Sequence, residues 1–395
     1  MILVVNPGSS SIKFSLYEYK DEKSIKKISD GIAEQIKVNG KVIINYQNKK
    51  HEFEVKLPNH KIAIETILNK LDELNIIKDI KDINGVGYRT VHGGTISKSS
   101  IIDEIVHKKI EESSKLAPLH NPPGLLVIDK FKDFLPHAIH VACFDTAYHQ
   151  TMPEINYIYP VNYDWYEKHG VRKYGFHGTS FDYINRKYEE IVNKKNNNIV
   201  VCHLGNGASI CSIKEGKSFD TTMGLTPLAG IMMGSRSGDI DPSIINYMSN
   251  ELNASVSQIN DMLNNESGLL GISKVSSDIR YVIDGYKKDD KMCKLALELY
   301  TQKIANFVIQ MVNQQEGKVE SIIFTAGIGE NAKDIVSMII SKLYLLDIKL
   351  DLNKNNESYE DNIKISKDES KISVYKIRTN EEIMICRDVI SFLNK

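Results

Sequence analysis

Ile2-Leu3-Val4-Val5, then Asn6-Pro7-Gly8-Ser9-Ser10-Ser11, then Ile12-Lys13-Phe14-Ser15-Leu16 opens the chain as an apolar run, a turn of small polar residues and a second apolar run. Short apolar runs bounded by Gly, Pro and Ser read as strands joined by a turn. The pattern returns about two hundred residues later. Ile199–Cys202 leads through Gly205-Asn206-Gly207 into Ala208–Ile213. Two strand-turn-strand units in one chain predict a duplicated architecture.

Between the two units the sequence predicts hairpins, with Asn39-Gly40 as one turn and Asn48-Lys49-Lys50 as another. A helix is expected near 62–75, with Ile64, Ile67, Leu68, Leu71 and Leu74 on one face. The apolar run 139–144, broken only by His140, reads as a buried strand, and Asp145 stands at its end, where open α/β sheets place ligands. A second helix is expected over 294–312, carrying Leu295, Leu299, Ile304, Phe307, Val308 and Met311. Ser321–Thr325 reads as a strand feeding the turn Ala326-Gly327-Ile328-Gly329 and then a helix, while Asn353–Asn362 reads as a solvated polar loop. Strands alternating with helices place the chain in the α/β class with parallel sheets.

The chain has 395 residues, more than the roughly 250–300 at which single cores stop growing, so two domains are expected. Fifty basic residues against fifty-one acidic ones leave a net charge of -1, which argues against nucleic acid as a partner. Met1–Asn6 reads straight into a strand, so no secretory leader is expected. No stretch approaches the ~18 apolar residues of a membrane span. The five cysteines are scattered and never in CxxC, which fits a reducing, cytoplasmic setting with neither disulfides nor a zinc site.

Several segments carry chemistry. In Asn6–Lys13, small residues let backbone N–H groups converge on an anion, while the hydroxyls add donors and Lys13 a point charge. Asn6 could reach a metal or its water shell; the plainer reading is a hairpin turn. Gly216-Lys217-Ser218 has the tail of a Walker loop, but the first glycine would fall at Cys211, so that motif fails. Gly327-Ile328-Gly329-Glu330-Asn331-Ala332 mimics a dinucleotide fingerprint, with Asp347 about 20 residues on. Asp347 reads as lying inside an apolar strand, not at its end, and little chain follows. A strand-to-helix glycine turn against a nucleotide therefore fits better than a dehydrogenase. Arg89, His120, Asp145, His177 and Arg236 are the remaining polar points, most of them crowded by small residues that permit close ligand approach. No His or Cys spacing suits a metal.

Together these segments resemble the acetate kinase (acetokinase) family over the whole chain. The matching segments are Asn6–Lys13, Arg89–Gly94, Phe176–Ser180, His203–Gly207 and Gly327–Asn331. The resemblance implies an actin-like ATPase fold, with two duplicated ribonuclease-H-like domains flanking an ATP cleft. The domains would be residues 1–148 plus 382–395, and 149–381. It implies reversible phosphoryl transfer from ATP to acetate, giving acetyl phosphate and ADP, with Mg2+ (or Mn2+ in its place). Arg89 would hold the carboxylate, with Val91, Leu119, Phe176 and Pro227 around the methyl group and His120 beside them. Asp145 would be the catalytic aspartate, and His177 and Arg236 would stabilise the transition state. Asn6 and Glu381 would be associated with the metal. Lys13, Ser9 and Ser11 would serve the nucleotide, as would His203, Leu204, Gly205, Asn206, Gly207, Asp278, Ile279, Arg280, Gly327, Ile328, Gly329, Glu330 and Asn331. Family members are usually homodimers without membrane or nucleic-acid partners.

Three positions depart from the family pattern. Tyr88 stands where His is usual, Thr90 where Val is usual, and Thr95 where an acidic residue is frequent. These departures bear on the substrate side of the site more than on the nucleotide side. Propionate and butyrate kinases are the near alternatives, because one or two methylenes are worth only about 1–3 kcal/mol of discrimination. A switch-type actin-like ATPase is the alternative of a different class, and it would leave the Arg and His cluster without a duty.

Overall fold

The structure, a computed structural model, describes residues 1–22, 24–118 and 120–394. It divides into two compact units, Met1–Gln150 with Asn380–Lys395, and Thr151–Thr379.

The first unit is built on a mixed sheet. Its strands are β1 (Ile2–Pro7), β2 (Ile12–Tyr19), β3 (Ile25–Glu34), β4 (Lys41–Tyr46), β5 (Lys49–Glu54), β6 (Gly85–Thr90), β7 (Ser100–Ile101) and β8 (Ile139–Phe144). The order across the sheet is β5-β4-β3-β2-β1-β6-β8-β7. β1, β6 and β8 run parallel, and β1 through β5 form an antiparallel meander.

The opening run is apolar at every position because both faces of β1 are covered. Leu3 and Val5 face the helices His60–Glu73 and Asn121–Phe134, in one core with Ile64, Leu71, Val127 and Phe131. Ile2 and Val4 face the other way, onto Ile385, Cys386, Val389 and Ile390 of the helix Glu381–Leu393. That last helix lies close to the sheet only because β6 carries Gly85 and Gly87. A Cβ at Gly85 would come within 2.5 Å of Val389 Cγ1, and one at Gly87 within 2.5 Å of Ile385 Cγ2.

Some local details differ from the sequence-based expectation. The first helix starts two residues early because the Asn59 side chain accepts from Ile62 N and caps it. Leu74 is its C-cap and lies outside the buried row. The β4–β5 turn is made by Gln47 and Asn48, both at positive φ (48° and 60°), so Lys49 and Lys50 already belong to β5. This two-residue turn matches the twist of the strands.

The second unit contains β9 (Ile199–Leu204), β10 (Ala208–Lys214), β11 (Lys217–Thr221), β12 (Ser321–Thr325), β13 (Asn362–Lys364) and β14 (Ser373–Ile377). Its order is β11-β10-β9-β12-β14-β13, with β9, β12 and β14 parallel. The series β11-β10-β9-β12-β14 repeats β3-β2-β1-β6-β8 of the first unit in order and strand direction. The duplication expected from the strand-turn-strand pattern is therefore present as topology: two ribonuclease-H-like sheets in one α/β chain.

The long helix runs Lys291–Gln314, longer than expected at both ends, with Asp290 capping it through Cys293 N. Leu295, one of the apolar residues expected on it, is exposed, while Ala296, Leu297 and Tyr300 are buried. Ala326–Asn331 is itself a helical turn, starting directly after β12. The expected polar loop contains a short helix, Leu352–Asn356, and the start of β13. Asp347 lies outside the strands. All five cysteines are buried and free, and no helix among the described residues is long and apolar enough to cross a membrane.

Candidate active site

In the first unit the parallel pairing of β6 and β8 sets Arg89 opposite Cys143 and Thr90 opposite Phe144, so Arg89 and Asp145 emerge side by side at the strand ends. Asp145 N donates to Thr90 O at 3.0 Å and fixes the exit of β8. Arg89 Nε donates to Asp145 Oδ1 at 3.1 Å and Nη2 to Oδ2 at 2.7 Å, a bidentate pair. Glu381 Oε2 lies 3.6 Å from Arg89 Nε. Asp145 and, more weakly, Glu381 hold the Arg89 guanidinium above its ordinary pKa. Burial pushes Glu381 up, aided by Asp145 and Glu382 and opposed by Arg89.

Residues alternate across a strand, so Tyr88 points away from Arg89. Its ring is fully buried against Phe131 and stacked on His140. His140 Nε2 lies 3.0 Å from the carbonyl of Leu135, which can only accept, so Nε2 carries the hydrogen and Nδ1 is left to accept from Tyr88 OH at 2.7 Å. The departure at Tyr88 is thus absorbed inside the core. Thr90 and Val91 instead line a small void, about 10 Å³, beside Arg89, His120 and Asn121. Arg89, Val91 and His120, expected at the substrate, are brought together there. Leu119, expected with them, lies outside the described residues.

Asn121 was not singled out in the sequence. Buried, it accepts from His92 N and donates to the carbonyls of His92 (2.8 Å) and Ile110 (3.1 Å), pinning the loop after Arg89.

Asn6 and Lys13 are register partners on β1 and β2, and both are exposed. Ser9 and Ser11 lie in the turn between them. Glu381 opens its helix, which Asn380 caps through Ile383 N. Asn6 and Glu381 offer hard oxygen donors, and Glu381 is a half-buried carboxylate whose ionised form Arg89 supports only in part. Among the described residues, no group of three or more His, Cys, Asp or Glu side chains could hold an ion alone. Oxygen donors of this kind fit a hard divalent ion that keeps several waters and takes one or two protein oxygens together with substrate phosphates.

In the second unit His177 sits in the left-handed region (φ 59°) at the residue just before the helix Gly178–Val192, without a side-chain capping hydrogen bond. Such a conformation costs about 1–3 kcal/mol in a non-glycine residue and clusters at functional sites. The ring stacks on His203 with centroids 4.2 Å apart and shares a hydrogen bond from Nδ1 with Ser209 Oγ at 2.9 Å. His203 Nδ1 in turn meets Ser180 Oγ, which contacts Thr379 Oγ1.

Arg236 donates to Pro227 O at 3.2 Å. Burial lowers its pKa from the ordinary value, and among the described residues no carboxylate pairs with it. A Cβ on Gly207 would lie 3.4 Å from Arg236 Nη1 and 3.8 Å from His177 Nε2, so glycine keeps open the space onto which both side chains face. Ser209, which anchors His177, was not singled out. It is the second residue of β10, two positions beyond the quoted turn.

Gly205, Asn206, Asp278, Ile279, Arg280, Gly327, Ile328 and Asn331 line one cavity of about 600 Å³, within the usual range for small-molecule sites. Ile283 and Lys287 line it too. Their four-residue spacing from Ile279 along a helix could have revealed them. The other residues expected at the nucleotide do not line this cavity. His203 and Leu204 are buried in β9, Gly329 is buried against Phe324 and the Cys202 carbonyl, and Gly207 stands between His177 and Arg236. Glu330 accepts from Ala326 N at 2.9 Å and Thr379 N at 3.0 Å, holding the turn (Ala326 φ 64°) in shape.

Comparisons with known proteins show the family and the fold. The profile described as the acetokinase family matches residues 1–387. A protein named acetate kinase from Mesoplasma florum is 57% identical over 393 residues, covering 99% of each chain. The crystal structure of an acetate kinase from Porphyromonas gingivalis superposes with TM-score 0.93 at 38% identity, covering 99% of both chains. That of a propionate kinase from Francisella tularensis gives 0.92 at 41% identity, covering 98% of both.

Proposed function

The chain belongs to the acetokinase family, and we propose that it reversibly transfers the terminal phosphoryl group of Mg-ATP to acetate, giving acetyl phosphate and ADP by direct in-line displacement. Arg236, a half-buried guanidinium without a carboxylate partner among the described residues, facing the same open space as His177, is the observation that carries the reading. A cation held in that way awaits an anion.

The acceptor is a carboxylate and already ionised at neutral pH, so no strong general base is required. The obstacle is repulsion between the acceptor and the triphosphate. One charge pair at about 4 Å is worth roughly 4 kcal/mol at an effective dielectric near 20, so a few fixed cations offset it. Arg89 is assigned to the acetate carboxylate, and Val91, Leu119, Phe176 and Pro227 to its methyl group. Asp145 fixes the plane of the Arg89 guanidinium and orients it. Arg236 and His177 are assigned to the charge on the transferred phosphoryl. Asn6 and Glu381 would hold Mg2+, which when bound neutralises charge on the phosphate oxygens.

The void beside Arg89 has room for about one water-sized group. That supports a short acyl chain, with propionate a slower acceptor. Following Mg-ATP and acetate by phosphorus NMR tests the reading. ADP and an acyl phosphate should appear together, and ADP released without acyl phosphate would contradict it.

A further inference from the structure

The turn 7–11 joins β1 to β2, and three of its carbonyl oxygens, those of Gly8, Ser10 and Ser11, meet protein hydrogen-bond partners. Gly8 N donates to Ser11 O at 2.8 Å, and Ile36 N donates to Ser10 O at 3.1 Å. The Gly8 carbonyl lies 3.1 Å from Nε2 of His60. A carbonyl can only accept, so Nε2 carries the hydrogen and donates. His60 is 2% exposed and stands at the first position of the helix His60–Glu73, whose start Asn59 fixes by capping Ile62 N at 3.0 Å. The turn is tight: a Cβ on Gly8 would lie 3.0 Å from both the carbonyl oxygen and the hydroxyl of Ser11.

The consequence is electrostatic. A carbonyl oxygen turned outward beside Ser9, Ser11 and Lys13 would repel a phosphate. With the oxygens of Gly8, Ser10 and Ser11 drawn inward, the outer surface of the turn presents the backbone N–H groups of Ser9, Ser10 and Ser11. None of these three has a protein acceptor among the described residues. This is the arrangement in which successive amides form an anion-binding concavity.

We propose that His60 is a positioning residue that holds the Gly8 carbonyl away from the phosphates and so keeps the turn 7–11 competent for the nucleotide. The proposal rests on the phosphoryl-transfer reading above.

Three variants test it in the full-length protein. Gln can reach the place of Nε2 with its amide nitrogen, Asn places the same amide short of it, and Phe removes the donor. His60→Gln should keep KM for ATP within about threefold of the parent, while His60→Asn and His60→Phe should raise it about tenfold, the loss of one buried hydrogen bond. KM for acetate should stay within about twofold in all three, a split that general loosening of the fold would not give. Equal KM for ATP in His60→Gln and His60→Asn would overturn the proposal even if His60→Phe failed to fold. So would parallel increases in both KM values. An inactive parent protein would instead remove the phosphoryl-transfer reading, and this inference with it.

Discussion

Arg89 and Asp145 meet edge to edge, with both nitrogens of one guanidinium edge bonded to both carboxylate oxygens at 3.1 and 2.7 Å. Asp145 is 2% exposed, and Glu381 approaches the same guanidinium at 3.6 Å. One cation therefore serves two acidic side chains, while its Nη1 makes no hydrogen bond among the described residues. The pair explains how an arginine can be locked in orientation and still present a free edge to a substrate anion.

That geometry depends on the planar fork, which lysine lacks. Arg89→Lys should raise KM for acetate about tenfold or more while leaving KM for ATP nearly unchanged. Initial rates with each substrate varied in turn would check this, and equal effects on both constants would remove Arg89 from carboxylate binding.

Arg236 carries a different expectation, because its charge is assigned to the transferred phosphoryl. Arg236→Ala should lower kcat by about a hundredfold or more with only a small change in ATP affinity. Calorimetric ATP binding beside steady-state kinetics separates the two. An unchanged kcat would exclude Arg236 from the reaction.

Direct transfer predicts that no phosphohistidine forms on His177 at the catalytic rate. Rapid quench with ATP labelled in its terminal phosphoryl should leave the protein unlabelled under alkaline work-up, which preserves phosphohistidine. Label on His177 appearing as fast as turnover would replace direct displacement with a phospho-enzyme. His177→Ala should also cost about tenfold or more in kcat, since one stabilising donor is lost.

Glu381 links function to stability. Burial raises its pKa, so the folded chain binds its proton more readily than the unfolded chain does. Stability then falls as pH rises through the interval between the unfolded and folded values. In metal-free buffer Glu381→Gln should melt at a higher temperature than the parent near neutral pH. The gap should close below the ordinary carboxylate range, where the glutamate is protonated in both states. The same variant should need about tenfold more Mg2+ for half-maximal rate, as one weakened metal contact allows. A lower melting temperature at neutral pH would show that attraction to Arg89 outweighs burial.

Much of this was legible in the sequence because strand runs and small-residue turns are local signals. Ile2–Val5 and Ile199–Cys202 announced the sheets, and the apolar run ending at Asp145 announced a strand end bearing a carboxylate. The partners that fix side chains were not legible, because they come from distant elements. Asn121 reaches back to His92, Ser209 anchors His177 from the next hairpin, and His60 reaches Gly8 from a helix. The two positive-φ residues at Gln47 and Asn48 shifted a turn by one residue, since neither is the glycine that usually marks such a turn. Tyr88 read as a substrate-side departure, yet strand alternation sends it into the core against His140.

The central claim is most directly tested by trapping acyl phosphate with hydroxylamine from Mg-ATP and acetate, propionate or butyrate in parallel. Abundant hydroxamate with acetate, less with propionate and little with butyrate is the predicted result. ATP binding without hydroxamate from any of the three acids would contradict it, and would leave Arg89, His177 and Arg236 to be explained by a switch-type ATPase.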